Sequence, residues 1–306
     1  MSAVNTVHHY ENFPVASLLL PRNAMPAVQA LYRFARAADD IADEGNAAHS
    51  ERLAQLDDLA AQLTSPSLAS SALVQDLAPF IAQGKLPSVY LLKLLSAFRQ
   101  DVVQDASSHP IRYATMDELL DYCSRSANPV GRLMLHCVGA PCSPESFAAS
   151  DAICTSLQLI NFWQDLAKDA QAGRVYVPHD LWVQHGSPHS GSNRDPNRDP
   201  DSSLDSSPDS SLDNSPNRSA HAGYHPMMAA LCTDARARML AGAPLIAMLS
   251  GRFKIEILLT MAGGLRILDK LATVEYDVLH RRPRLAWQDA LPCLRIVWAL
   301  CRGRLK

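Results

Sequence analysis

Apolar residues recur at helical spacing along nearly the whole chain, and no stretch of useful length alternates as a half-buried strand does. Over residues 26–44, Ala27, Leu31, Phe34, Ala38 and Ile41 fall near one stripe. The same period runs through 52–63, 90–104, 116–124, 130–138, 147–169, 226–250, 253–280 and 287–301. Pro129 and Gly131 read as a breaker pair between two of these helices. Residues 175–177 are at most a short extended piece that ends at Pro178. The pattern predicts an all-α fold, a helical bundle.

One segment departs from the pattern. Residues 186–223 are Ser, Asp, Asn and Pro with near-repeats and almost nothing apolar. Such composition cannot bury enough surface to offset chain entropy, so disorder is expected there. A chain of 306 residues is long enough for two domains. The helical part beyond residue 223 is too short to make a core easily, so the segment reads as an insertion within one domain spanning 1–306.

Other classes lose their usual handles. With 13 glycines there is no G-x-G-x-x-G and no P-loop pattern. A net charge of −3 argues against nucleic acid as the main partner. The seven cysteines form no C-x-x-C pair, which suits a reducing compartment rather than a zinc site. No signal peptide is evident, and no apolar run reaches the roughly 18 residues of a membrane span. A cytoplasmic address is expected.

Two acidic clusters carry the candidate chemistry. Tyr32, Arg36, Asp39, Asp40 and Asp43 share one helix face, and so do Gln158, Asn161, Asp165 and Asp169. Like charges four residues apart cost a bare helix a few tenths of a kcal/mol, so each stripe wants a counter-charge. Either cluster alone reads as a solvated face. Two oxygen-only stripes in phase on apolar helices point instead to a hard cation such as Mg²⁺, held by a few carboxylates and completed by phosphate oxygens.

These residues sit in longer motifs. Residues 32–43 (YRFARAADDIAD) and 158–169 (QLINFWQDLAKD) resemble the first and second aspartate-rich motifs of the squalene/phytoene synthase family. Residues 122–131 and 173–178 are similar to two further segments of that family, and the resemblance covers nearly the whole chain outside 186–223. It implies an isoprenoid-synthase bundle around a central apolar pocket. It also implies Mg²⁺ on Asp39, Asp43, Asp165 and Asp169 with Asn161 in support. Arg36, Arg174 and Arg282 become partners of the diphosphate, with Asp40 beside them. Tyr32, Tyr122, Gln158 and Tyr176 become pocket residues, Tyr122 among the catalytic ones.

Within the family, the opening at 9–17 (HYENFPVAS) and Gln164 before Asp165 resemble the hydroxysqualene synthases of hopanoid operons. That branch implies conversion of presqualene diphosphate and water to hydroxysqualene and diphosphate, with no need for NADPH. The alternatives are a head-to-head prenyl synthase of the same fold and a non-catalytic helical assembly factor. A scaffold of that kind should lack some of the four aspartates, and all four are present. Phe162 and Trp163 read as core, as does His136. Residues 281–306 hold seven Lys or Arg against one acid, interleaved with apolar side chains. They read equally as a peripheral membrane contact, at the inner membrane, or as a final helix with a basic outer face. Docking on partner enzymes of the pathway stays open.

Overall fold

A computed structural model describes residues 19–43, 47–106, 111–185 and 217–304, with side chains undescribed at 111–112 and 217–223. The opening motif at 9–17 and residues 186–216 of the insertion lie outside the described residues.

Twelve helices follow one another among the described residues: α1 (Met25–Asp43), α2 (His49–Thr64), α3 (Ala72–Ala82), α4 (Ser88–Asp105), α5 (Met116–Ser126), α6 (Asn128–Val138), α7 (Pro144–Gln171), α8 (His179–His185), α9 (Asn217–Ala241), α10 (Leu245–Met248), α11 (Gly251–Thr273) and α12 (Ala290–Cys301). The architecture is all-α, as the periodicity predicts. One core takes buried apolar residues from Leu20 to Leu300. No helix among the described residues is long and apolar enough to cross a membrane.

The axis of the bundle is α7, about 42 Å long at 1.5 Å per residue. Its start is set by Ser143 and Ser146, whose side chains each bond the other's backbone N–H, with Pro144 in the first turn. Ile153, Leu157, Leu159, Ile160, Phe162, Trp163 and Leu166 are all buried. A helix with apolar residues on most of its circumference belongs in the interior, and α5, α6, α9 and α11 pack around this one.

Several boundaries differ from the sequence reading. Gly131 is not a breaker: it lies inside α6, facing α7. A methyl group there would strike Ser150 Oγ and lie 2.5 Å from Cys154 Sγ, so glycine is what allows the two helices to touch. α9 begins at Asn217, so residues 217–223, expected to be disordered, form its first turns, and Pro226 lies within it. α11 stops at Thr273 rather than near 280, because Glu275 and Tyr276 take left-handed φ values of 55° and 63°. α3 and a two-residue strand at 111–112 were not foreseen.

That strand matters for the site. β1 (Ile111–Arg112) pairs in parallel with β2 (Arg174–Val175), in register Ile111 with Arg174. Two further backbone bonds, from His179 N–H to Tyr113 O (2.8 Å) and from Asp180 N–H to Ala114 O (3.2 Å), continue the tether. Together they fasten the segment after α7 beside the start of α5.

Candidate active site

Both acidic clusters fall at the C-terminal ends of their helices. Asp39, Asp40 and Asp43 close α1, whose last turn holds no basic residue, and Asp169 lies in the last turn of α7 one turn beyond Asp165. The negative end of a helix dipole disfavours carboxylates, so these acids need cations brought from elsewhere. Three arginines supply part of that need. Arg36 pairs with Asp39 (3.1 Å) and Asp40 (2.6 Å) along α1. Arg174 donates two bonds to Asp43, at 3.0 and 2.8 Å. Arg282 grips both oxygens of Asp165, through Nε and through Nη2 at 2.8 Å.

Arg174 joins the two clusters. It faces Asp43 directly and lies within electrostatic reach of Asp39, Asp101 and Asp169. Its position follows from the β1–β2 tether, which begins just beyond the end of α7. The charge remains unbalanced all the same. Burial, and then the neighbouring Asp43, push the Asp39 carboxyl up to about 6. Burial and then Asp165 push Asp169 up to about 6 as well. An acid that is costly to ionise beside its neighbours gains from an added cation.

Beneath the charges lies an aromatic wall. Phe162 stacks on Tyr176, with ring centres 3.8 Å apart and planes 9° from parallel. Tyr122 lies 6.4 Å from both rings, and Tyr113 stands 5.6 Å from Tyr122 and 6.1 Å from Tyr176. Phe162, read from the sequence as plain core, is thus a member of the wall. Trp163, the next residue round α7, is fully buried core as expected. The Tyr122 hydroxyl donates to Asp101 Oδ2 at 3.0 Å. Burial, and then Asp43, push Asp101 up to about 7.

Asp101 and Tyr113 were missed by the sequence reading. Asp101 lies one turn before the end of α4, as Asp165 and Asp169 lie near the end of α7, and the pair Asp101 and Asp105 repeats the four-residue spacing, which was the available signal. Asp105 is committed to Arg52 at 2.6 Å. Tyr113 carries no pattern of its own and is placed by β1. Tyr32 shares the Arg36–Asp39 face but is 37% exposed, and Gln158 is half-buried on the face of α7 that carries Phe162 and Asp165.

Asn161 stands at the edge of that face. With Leu157, Ile160 and Gln164 it lines an apolar cavity of about 370 Å³, closed on the other side by Leu259, Gly263, Ile267 and Leu285. Gln164 is buried, and its Nε2 donates to the carbonyl of Pro283. It thereby ties the loop that carries Arg282 to the helix that carries Asp165.

No group of three or more His, Cys, Asp or Glu converges as a ready-made metal cage among the described residues. The donor set nevertheless fits Mg²⁺, which takes one or two carboxylates per ion and completes its shell with phosphate and water. The raised carboxyls of Asp39 and Asp169 mark where positive charge is wanted.

Helix ends that present acids and arginines above an aromatic wall, within an all-α bundle, define an isoprenoid-synthase fold. Known proteins agree. The squalene/phytoene synthase family model matches residues 6–289, and the chain belongs to that family. It is 41% identical over 182 residues to a hydroxysqualene synthase of Zymomonas mobilis, covering 59% of each chain. A hydroxysqualene synthase of Sinorhizobium fredii is 39% identical over 184 residues, 60% of each. The chain thus spans 59% and 60% of the length of these curated relatives. Among solved structures, squalene synthase HpnC from Alicyclobacillus acidocaldarius superposes with a TM-score of 0.69 at 30% identity, over 88% of this chain and 90% of that one.

Proposed function

We propose that this protein, acting as one domain over 1–306, converts presqualene diphosphate and water to hydroxysqualene and diphosphate. The observation that carries the reading is the sharing of Arg174 between the α1 and α7 acids, with Arg282 on Asp165, close to Tyr176 of the aromatic stack. Similarity to the two hydroxysqualene synthases supports the choice of branch.

In this reading Arg36, Arg174 and Arg282 orient the diphosphate, Arg174 and Arg282 turning from Asp43 and Asp165 toward phosphate oxygens and Arg36 from Asp39. Asp39, Asp43, Asp165 and Asp169, with Asn161, would hold Mg²⁺, and Asp40 keeps Arg36 in place. Bound there, the metal would supply positive charge against the departing diphosphate. The faces of Phe162, Tyr176, Tyr122 and Tyr113 stabilise the carbocation left behind. Tyr32 and Gln158 would line the pocket that takes the chain of the substrate. Water is admitted at one place, the Tyr122–Asp101 pair, whose carboxyl titrates near neutrality and takes up the proton that the water releases. NADPH has no part in this scheme.

The test is incubation with presqualene diphosphate and Mg²⁺ in ¹⁸O-labelled water. Labelled hydroxysqualene, in equal amount with and without NADPH, is the expected result. Squalene formed only with NADPH would place the protein in the reductive branch. Product from farnesyl diphosphate alone would make it a head-to-head condensing enzyme, and no product from either substrate would favour a non-catalytic role.

A further inference from the structure

The last helix is apolar on two opposite sides. Its inner side, with Leu300, is packed on α11. Its outer side carries Trp287, just before the helix, then Leu291, Leu294 and Trp298, at 85%, 70%, 56% and 50% exposure. Their spacing of four, three and four residues puts them on one stripe. Ile255 and Leu259, one turn apart on α11, and Leu285 extend the exposed apolar surface at 48%, 41% and 40%. Leu259 and Leu285 also line the apolar cavity beside α7, so that cavity opens along the same belt.

The belt is edged with positive charge. Arg295 lies on the outer face of α12, and the Arg302 and Arg304 guanidinium carbons stand 4.0 and 5.4 Å from the Trp298 ring centre. Arg281 and Arg284 are exposed on the loop before it. The one acid between 281 and 304, Asp289, is buried and bonded by Arg266 (2.8 Å) and Lys270 (2.7 Å), so it cancels none of this field.

We propose that this face docks on an anionic phospholipid surface. Tryptophan and leucine on one side of a helix, flanked by arginine, suit the boundary between headgroups and acyl chains. A second copy of the chain is a poor occupant, because a two-fold contact would set the same arginines against one another. The inference is independent of the reaction, since binding is measured without substrate.

The experiment is co-sedimentation of the full chain with vesicles of phosphatidylcholine, with and without phosphatidylglycerol. Binding to the anionic vesicles alone is expected, with a blue shift of tryptophan emission. Arg295→Glu and Arg302→Glu should each weaken it about fivefold or more, the order expected for one charge near an anionic surface. The double variant Trp287→Ser/Trp298→Ser should lose both binding and blue shift while keeping its far-UV spectrum. The proposal is overturned if the wild-type chain stays in the supernatant, if the serine variant binds as well as wild type, or if light scattering shows a wild-type dimer that the serine variant dissolves.

Discussion

Replacing Asp101 by Asn tests the electrostatics of the site through stability. Asp101 is covered by α5 and the aromatic wall, and Tyr122 donates to it at 3.0 Å. Burial comes first, and Asp43 and Asp39 next, in lifting its carboxyl from 3.8 to about 7, against the pull of the Tyr122 bond and Arg174. The unfolded chain releases this proton near 3.8 and the folded protein near 7. Between those values the folded state holds one proton more, so stability falls as pH rises through the window and stays lower above it. At 1.36 kcal/mol per unit the full shift is worth about 4 kcal/mol, and partial contact with water reduces this to about 2 kcal/mol. Asparagine still accepts from Tyr122 and cannot ionise. Asp101→Asn should therefore gain about 2 kcal/mol at about pH 8, and roughly a third of that at about pH 5. Urea unfolding followed by fluorescence at both pH values measures the difference. A variant destabilised at both, or stabilised equally at both, would refute the assignment of a raised carboxyl at this position.

Two further substitutions probe how the bundle presents its site. Gly242→Ala would place a methyl against Ile153 Cγ1 and 2.7 Å from the Ala149 carbonyl, which is backbone and cannot turn aside; a loss of about 1–3 kcal/mol is expected in thermal melts, and an unchanged Tm would show that α9 and α7 are less tightly joined. Gln164→Leu leaves the Pro283 carbonyl without its donor, at about 1–3 kcal/mol, and frees the Arg282 loop. A raised KM for the diphosphate substrate is expected, with partial recovery at low pH in Gln164→Glu, whose protonated carboxyl donates again; equal KM values in all three proteins would remove Gln164 from the positioning of Arg282.

Much of the architecture was written in local pattern. The stripe Ala27, Leu31, Phe34, Ala38 marks the buried side of α1, and Leu56, Leu59 and Leu63 that of α2, because helical periodicity is a property of neighbouring residues. The two acidic faces were legible for the same reason: Asp39 and Asp43, or Asp165 and Asp169, share a face by spacing alone. Helix ends were less legible. The stop of α11 relies on Glu275 and Tyr276 at positive φ, where no glycine advertises the turn.

What joins the clusters was not local. Arg174 reaches Asp43 across 131 residues, Arg282 reaches Asp165 across 117, and Gln164 reaches Pro283 across 119. The pairing of 111–112 with 174–175 brings Tyr113 and Tyr176 together, yet two residues are too few to leave an alternating trace in the sequence. Phe162 looked like core because burial and service in an aromatic wall demand the same apolar side chain. Gly131 looked like a breaker because a glycine kept for close helix contact and one kept for a turn are the same residue. The sequence by itself determined the all-α class, most of the long helices and which acids share a face, since these follow from the 3.6-residue period. The choice of arginine for each acid, the burial that lifts Asp39, Asp101 and Asp169, and the rings that lie beneath them were decided only by packing, because those energies depend on distances between segments that no local period records.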